Sequence, residues 1–353
     1  MFTLFCDVID NYGDAGVCLR LCRDLCVKNY QVTFFCNNLE TLSKILTKED
    51  RESPLLKILP WPKETEEYSL NKVIIQAFSV RLPSFILEKI KKEHCEVINL
   101  EYLTAETFAE DCHTLPSFAD GMQSYFFFPG FTKKTGGVVI EDNFLSKIRN
   151  KTQSSDYMTL FSYENNMVMT FLNNLKKVGS LNKVLVFEGK PLDNLNKLLG
   201  TNLKVGDTYQ FDNLTIVVKE MVGQDEYDTI LANAKINLVR GEDSIVRAMI
   251  TGVPFLWHIY PQDEDAHKFK ILALFERMKE YCQNKDAIEK LQELTLSYNG
   301  FSDYINDFDI AEFMEDWQEI SKQWSEHLIS LGSLTNNLLD FINQKITLAG
   351  THE

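Results

Sequence analysis

Two carboxylates four residues apart, Asp10 and Asp14, form the pair near the start of the chain that is best suited to proton transfer. An apolar run over residues 2–8 precedes them, two glycines lie in the same turn, and an apolar pattern with helical spacing begins near Val17. A strand, a glycine-containing turn and a helix open an α/β sheet, in which ligands bind at the carboxyl ends of the strands. Two carboxylates would repel a dinucleotide's diphosphate, so the turn favours acid–base chemistry on a group that loses a proton.

A second polar turn lies in residues 235–257, where a strand runs into Arg240 and a helix follows. Asp243 or Ser244 is predicted to cap this helix, since both side chains accept hydrogen bonds from helix-start amides. The exposed amides, with Arg240 beside them, would bind a diphosphate without a metal ion. An ordinary capped helix remains an alternative interpretation of the same residues.

Acidic and thiol residues elsewhere give no convincing metal site. Residues 263–265 match an acid-x-acid pattern, but such triplets arise by chance among 51 Asp and Glu residues, and a solvated helix start explains this one. His267 is interpreted as structural. Cys18, Cys22 and Cys26 share one helix face but spread over about 12 Å, too far for one ion, so we interpret them as packing thiols.

The elements that must position these residues form two series. Strand-like runs occur at 2–8, 31–36, 55–59, 72–77 and 95–100, and again at 157–162, 183–188, 213–219, 235–239 and 253–259. A polar stretch near 141–156 is interpreted as a linker, and the tail from about 303 onward has helical spacing. Because 353 residues exceed what one core usually holds, we predict two tandem α/β domains facing one another across a cleft.

Composition limits the partners. The net charge of −15 is a poor match for nucleic acid or an anionic membrane surface, so neither is expected as a partner. No apolar run approaches the length of a membrane span, and no basic stretch precedes the first apolar run as in a signal peptide. We therefore expect a cytoplasmic protein.

Several segments together resemble one family, the bacterial protein-arginine rhamnosyltransferases (EarP) that modify translation elongation factor P. The resemblance spans roughly residues 1–275 and is carried, in chain order, by Asp10-Asn11-Tyr12-Gly13-Asp14-Ala15-Gly16-Val17-Cys18, Glu101-Tyr102-Leu103-Thr104-Ala105-Glu106, His113-Thr114-Leu115-Pro116-Ser117, Phe126-Phe127-Phe128-Pro129-Gly130-Phe131, Lys134-Thr135-Gly136-Gly137, Phe161-Ser162-Tyr163-Glu164-Asn165, Gln224-Asp225, Arg240-Gly241-Glu242-Asp243-Ser244 and Tyr260-Pro261-Gln262-Asp263-Glu264-Asp265-Ala266-His267.

The resemblance implies a GT-B glycosyltransferase with two Rossmann-like domains. Residues 1–153 would be the acceptor domain, completed by a C-terminal helix at about 331–353, and residues 154–330 the nucleotide-sugar donor domain. The expected reaction transfers L-rhamnose from dTDP-β-L-rhamnose to an arginine of elongation factor P, with inversion and with no metal or other cofactor. The modified factor would rescue ribosomes stalled at polyproline.

The resemblance also implies roles for individual residues. Three carboxylates are expected to be catalytic, namely Asp10, Asp14 and Glu242. The substrate-binding set is Asn11, Tyr12, Gly13, Phe161, Tyr163, Gln224, Tyr227, Arg240, Gly241, Asp243, Ser244 and Gln262.

The chemistry of arginine fits the paired acids. Its guanidinium stays protonated, with a pKa above about 12, so a nitrogen that attacks a sugar carbon must shed a proton as the bond forms. One aspartate could remove that proton while a second carboxylate holds the other N–H groups. Either Asp10 or Asp14 could be the base, and we favour Asp14. Each acid also has an ordinary structural role open to it, as a helix cap, a turn residue or, for Glu242, a favoured first-turn residue.

Other functions are weighed against this one. A nucleotide-sugar transferase or epimerase with a non-protein acceptor is the main alternative, and a paired-acid turn suited to a guanidinium argues against it. A non-enzymatic partner of a translation factor would not need these acids. A nicotinamide dehydrogenase would need a GxGxxG motif after the first strand, which this sequence lacks.

Overall fold

The fold is described from a computed structural model over residues 1–9, 11–149 and 155–350. The chain forms two compact units. The first unit comprises Met1–Asp142 with Leu331–Glu353, and the second comprises Asn143–Ser330. No helix in the described ranges is both long and apolar enough to cross a membrane.

The first unit alternates strands and helices. In chain order its elements are β1 (Phe2–Cys6), α1 (Asn11–Val27), β2 (Val32–Cys36), α2 (Leu39–Ser43), α3 (Lys48–Glu52), β3 (Leu56–Leu59), β4 (Val73–Ala77), α4 (Ser84–Lys92), β5 (Glu96–Leu100), α5 (Phe108–Cys112), β6 (Pro116–Ser117) and β7 (Ser124–Phe127). Helix α6 (Asp142–Arg149) follows at the boundary between the units.

The sheet of the first unit has the strand order β3-β2-β1-β4-β5-β7-β6 and is parallel except at β6. Alternate residues of β1 face opposite sides, so Leu4 joins the core under α1 while Phe5 packs against Phe35 on the other face. The apolar runs in β1, β2 and β4 are typical of parallel strands covered on both faces.

The second unit is also built around a mostly parallel sheet. Its elements are β8 (Tyr157–Leu160), α7 (Met167–Leu175), β9 (Lys183–Phe187), α8 (Lys190–Leu199), β10 (Thr208–Phe211), β11 (Leu214–Lys219), α9 (Gln224–Asn233), β12 (Ile236–Arg240), α10 (Gly241–Thr251), β13 (Phe255–His258), α11 (Ala266–Tyr281), α12 (Lys285–Tyr298) and α13 (Ile310–Ser330). The strand order is β10-β11-β9-β8-β12-β13, with only β10 antiparallel among the described strands.

The last helix, α14 (Leu334–Gly350), returns to the first unit. The amide of Leu334 donates to the Val138 carbonyl at 2.8 Å, and Asn337 Nδ2 donates to the Gly136 carbonyl at 3.0 Å. The apolar face of α14 packs into the core under α1. The start of α14 is therefore hydrogen-bonded to residues 136–138 of the same unit, about 200 residues earlier in the chain.

The ten strands expected from the hydrophobic pattern are confirmed to within two residues at each end. Three strands were not predicted, namely β6, β7 and β10. The polar stretch near 141–156, interpreted as a linker, contains the boundary between the two units, and its residues 142–149 form α6. Among the described residues of that segment, only Phe144 is deeply buried, and its ring centre lies 3.6 Å from the guanidinium carbon of Arg247.

Candidate active site

The helix that follows β1 begins earlier than its sequence suggests. Helix α1 starts at Asn11, so Tyr12, Gly13 and Asp14 lie in its first turn, although the apolar pattern placed the start near Val17. Two glycines disfavour a helix by roughly 1 kcal/mol each. Burial of the α1 face against β1 outweighs that cost. Asp10 lies outside the described residues.

Asp14 is 4% exposed, and one of its carboxylate oxygens accepts a hydrogen bond from the segment before α1. The Ile9 amide donates to Asp14 Oδ2 at 2.8 Å. This bond links the first turn of α1 to Ile9 and holds the carboxylate at the carboxyl edge of the sheet. The half-buried ring of Tyr12 packs against the core beside it. Asp14 thus has a structural contact at a position where ligands bind in such sheets.

In the second unit, the corresponding edge carries Arg240 at the end of β12. Gly241 follows with φ of +65°, a left-handed conformation that favours glycine. Trp257 Nε1 donates to the Gly241 carbonyl at 3.1 Å and pins this sharp turn to the neighbouring strand β13. The prediction that Asp243 or Ser244 caps α10 was wrong, because the helix begins at Gly241 and both residues lie inside it.

The Arg240 guanidinium lies over two aromatic rings. Its central carbon is 4.5 Å from the ring centre of Phe161 and 4.8 Å from that of Tyr163. Nη1 of Arg240 is buried and has no hydrogen-bond partner among the described residues. Ring faces attract a cation but accept no full hydrogen bond, so this donor is available for an anion.

Aromatic residues build a wall around the arginine. Phe161, Phe187 and Tyr227 contact one another with ring centres 5.5–5.8 Å apart. Burial raises the pKa of Tyr227 well above its usual value, so its hydroxyl stays protonated. That hydroxyl faces Ser244 without a hydrogen bond of normal geometry to any described residue.

Polar side chains complete the group at the start of α9 and α10. Gln224 is buried, and its Nε2 donates to Asp243 Oδ2 at 3.3 Å. Glu242 lies half-buried in the first turn of α10. Gln262 is exposed in the loop after β13, where its backbone amide donates to His267 Nδ1 at 3.1 Å.

The structure therefore brings one part of the expected substrate-binding set together in the second unit. This part consists of Phe161, Tyr163, Gln224, Tyr227, Arg240, Gly241, Asp243 and Ser244. Gln262 lies two residues beyond Tyr260, whose ring contacts Tyr163 at 5.4 Å. Asn11, Tyr12 and Gly13 belong to the first unit.

Three residues at this site were missed from sequence. Phe187 ends β9 and His258 ends β13, and both contact the aromatic group. Lys190 opens α8, and its Nζ lies 5.7 Å from the Tyr163 ring centre. The available signal was the position of Phe187 and His258 at the carboxyl ends of predicted strands and of Lys190 just after one, at the edge that already held Arg240 and Phe161.

Within the described ranges, no three His, Cys, Asp or Glu residues are arranged to hold a metal ion. Glu264 and Asp265 are exposed at a helix start, and His267 Nδ1 accepts a backbone amide, as expected for a structural residue. Cys18 and Cys22 are buried in the first core, where burial raises the pKa of both thiols well above the usual value. The interpretation of these two as packing thiols is confirmed.

Solved structures with the same fold define the class of protein. One, described as the structural basis for EarP-mediated arginine glycosylation of translation elongation factor EF-P, matches with a TM-score of 0.63 at 23% identity over 97% of this chain and 98% of its own. A UGT transferase from Siraitia grosvenorii in complex with UDP matches with a TM-score of 0.54 at 12% identity over 98% and 99%. The two Rossmann-like units have the GT-B fold, as predicted.

Sequence comparison narrows the class to a family. Residues 2–343 match the family of Elongation-Factor P (EF-P) rhamnosyltransferase EarP. A protein-arginine rhamnosyltransferase of Pseudomonas aeruginosa is 31% identical over 96% of this chain and 97% of its own length. The one from Pseudomonas putida is 33% identical over 92% and 90%. The chain belongs to the EarP family and is a glycosyltransferase, which confirms the predicted family and the predicted enzyme class.

His258 makes the site sensitive to acid. Burial, the nearby charge of Arg240 and His267 lower the pKa of His258 from 6.5 to about 3. The unfolded chain takes up this proton near pH 6.5 and the folded chain does not, so stability is lost as the pH falls from 6.5 towards 3. The contribution is about 1.4 kcal/mol per pH unit. We expect His258→Phe, which keeps the ring contacts, to reduce the slope of the unfolding free energy against pH between about pH 6.5 and 5 by about 1.4 kcal/mol per pH unit. Equal slopes in denaturant titrations of both proteins would refute the assignment.

Proposed function

We propose that this protein transfers L-rhamnose from dTDP-β-L-rhamnose to an arginine side chain of translation elongation factor P, with inversion at the anomeric carbon. The observation that carries the donor assignment is the Arg240 guanidinium, which lies over two aromatic rings with a buried, unpartnered Nη1. The acceptor assignment is supported by the family, whose relatives are named protein-arginine rhamnosyltransferases. We place the enzyme in the cytoplasm, where translation factors act.

The donor diphosphate would bind Arg240 and the first amides of α10. Negative charge builds on the diphosphate as the bond to the sugar breaks, and a fixed cation with helix-start amides stabilises that charge. Phe161, Phe187 and Tyr227 offer flat surfaces on which a thymine base could stack. The buried Tyr227 hydroxyl and Gln224 offer hydrogen bonds to the donor.

The acceptor arginine would be activated at the edge that holds Asp14. Inversion requires a single displacement, in which a guanidinium nitrogen bonds to the anomeric carbon as the bond to the diphosphate breaks. The proton on that nitrogen passes to Asp14 or Asp10, with Asp14 favoured, and the other acid would hold the remaining N–H groups. We assign Glu242, in the first turn of α10, as the third carboxylate of the reaction.

The modified factor would then serve translation. We propose that rhamnosylation activates elongation factor P for rescue of ribosomes stalled at polyproline. No cofactor is assigned, since the positive charge at the donor site comes from Arg240 and backbone amides.

The direct test is intact-mass analysis of elongation factor P after incubation with this protein and dTDP-β-L-rhamnose. The expected result is a gain of one deoxyhexosyl group on the factor, lost when the acceptor arginine is replaced by lysine. Transfer to small sugars with no change in elongation factor P would instead support the alternative of a non-protein acceptor.

We expect Arg240→Ala to weaken dTDP binding by at least about tenfold, because a charge-assisted hydrogen bond contributes about 1.5–3 kcal/mol. Isothermal titration calorimetry measures the change. Lys183→Ala is the matched control, since Lys183 opens β9 at the opposite edge of the same sheet and pairs with Asp156. Equal affinity of the wild type and Arg240→Ala would contradict the placement of the diphosphate.

We expect Asp14→Asn, and likewise Asp10→Asn, to lower turnover by roughly two to four orders of magnitude, the usual contribution of positioned acid–base catalysis. Asparagine at position 14 can still accept the Ile9 amide, so the fold should persist. Donor affinity should change little, since the donor is assigned to the second unit. Asp111→Asn, exposed in α5, is the control. Near-normal turnover, or joint loss of donor binding and chemistry, would remove the residue from this role.

Turnover should be unchanged in excess EDTA. The basis is a donor site whose charge comes from Arg240, together with the absence of a three-residue ligand cluster in the described ranges. Steady-state rates with and without chelator provide the measurement. Loss of activity that magnesium or manganese restores would return the acidic residues 263–265 to consideration as ligands.

A further inference from the structure

The carboxyl edge of the first sheet carries a second carboxylate beyond the Asp14 turn. Strand β1 pairs with β4, and β4 pairs with β5, all in parallel. The register aligns Phe5 with Gln76 and Ala77 with Leu100, so the residues after all three strands lie at about the same level. Neighbouring strands are about 4.8 Å apart, which places Glu101 roughly 10 Å across the edge from the segment after β1. An arginine side chain and two carboxylates can span that distance.

The backbone beside Glu101 has an unusual conformation. Phe78 and Ser79, directly after β4, have φ of +59° and +55°, and neither is a glycine. Such residues are held only where the surroundings determine them, and they concentrate at functional sites. Here the Phe78 ring stacks on Tyr102 with centres 4.6 Å apart, and the Phe78 amide donates to the Leu100 carbonyl at 2.7 Å.

This conformation presents a hydroxyl to the carboxylate. Ser79 Oγ donates to Glu101 Oε2 at 3.2 Å, and the Glu101 amide donates to the Phe127 carbonyl at 3.0 Å. Both the backbone and the side chain of Glu101 are therefore held in place.

The Glu101 carboxylate lacks a cation. Among the described residues it forms no ion pair, and its partial burial raises its pKa above the usual value. A half-buried carboxylate is stabilised when a cation neutralises it. The protein as a whole carries a net charge of −15, which favours the approach of a cationic partner.

We propose that Glu101 binds the guanidinium of the acceptor arginine, with Ser79 fixing its orientation. The inference rests on the proposed function and adds a residue to it. A guanidinium has five N–H donors in a planar fork. The base removes one proton and the other aspartate can accept from a bidentate pair, so N–H groups remain for a third carboxylate. Glu101 would accept from the nitrogens that do not react. The segment Glu101–Glu106, one of those that carry the family resemblance, then has a function.

A double-mutant cycle between the enzyme and its acceptor tests this role. Binding of elongation factor P, with its target arginine intact or replaced by alanine, is measured by calorimetry for the wild type and for Glu101→Gln. We expect Glu101→Gln to weaken binding of the intact acceptor by about tenfold, the usual loss when a charge-assisted hydrogen bond is removed. It should not change binding of the alanine acceptor, and dTDP affinity should be unaltered.

Glu96→Gln is the matched control, because Glu96 is an exposed carboxylate at the other end of β5. It should bind both acceptors as the wild type does. Ser79→Ala should weaken binding of the intact acceptor less than Glu101→Gln does, and the effects of the two substitutions should not be additive.

Each result decides a separate point. If Glu101→Gln weakens binding of both acceptors equally, Glu101 only supports the fold, and its proposed role is overturned. If it weakens binding of neither acceptor, the role is overturned as well. A wild-type enzyme that leaves elongation factor P unmodified would overturn the proposed function and this inference with it. Normal modification by the wild type with no effect of Glu101→Gln would overturn the inference alone.

Discussion

A permanently charged side chain over two aromatic rings is the interaction on which the second unit depends. Arginine cannot release its proton at cellular pH, so burial of Arg240 Nη1 without a hydrogen-bond partner in the described ranges is unfavourable. The ring faces of Phe161 and Tyr163 offset part of that cost. An anionic ligand would supply what the rings cannot, namely an oxygen that accepts. The position of this one guanidinium therefore matters both for the packing of the unit and for the anion that we propose it binds.

The surrounding helices hold that guanidinium in place. Helix α10 starts beside Arg240, and its buried Arg247 pairs with Asp228 of α9, with Arg247 Nη2 at 2.7 Å from Asp228 Oδ2. The two side chains are 1% and 2% exposed, so their pairing fixes one helix against the other. On the opposite side, Ser325 of α13 donates to the Ile250 carbonyl at 2.5 Å. Helix α10 is thus held by α9 on one side and by α13 on the other.

The same constraint of parallel sheets operates in both units. Parallel strands end together at one edge, and the chain must turn there before each helix, which leaves backbone and polar side chains available to a ligand. In the first unit this edge carries Asp14 and the Ser79–Glu101 pair. In the second it carries Arg240 with Phe161 and Phe187. Residues remote in sequence become neighbours because their strands are adjacent.

The sequence by itself determined the features that depend on local pattern. Apolar runs such as 2–6 and 32–36 are strands because each is covered on both faces, and that burial is visible in composition. The motifs around Asp14 and Arg240, together with the other segments over residues 1–275, indicated the family. They also led to the prediction that the Arg240 cluster binds the donor.

Only the tertiary structure decided the features that depend on distant partners. Gly13 and Gly16 suggested a loop, yet packing of α1 on the sheet and the Asp14–Ile9 bond make them helical. Helix α10 starts at Gly241, whose carbonyl accepts a hydrogen bond from Trp257 of the neighbouring strand, and not at Asp243 or Ser244. The Ser79–Glu101 contact follows from the adjacency of β4 and β5 and from an unusual backbone that no local preference predicts. Strand order brings these groups together, and strand order depends on contacts across the whole sheet, which periodicity along the chain does not record.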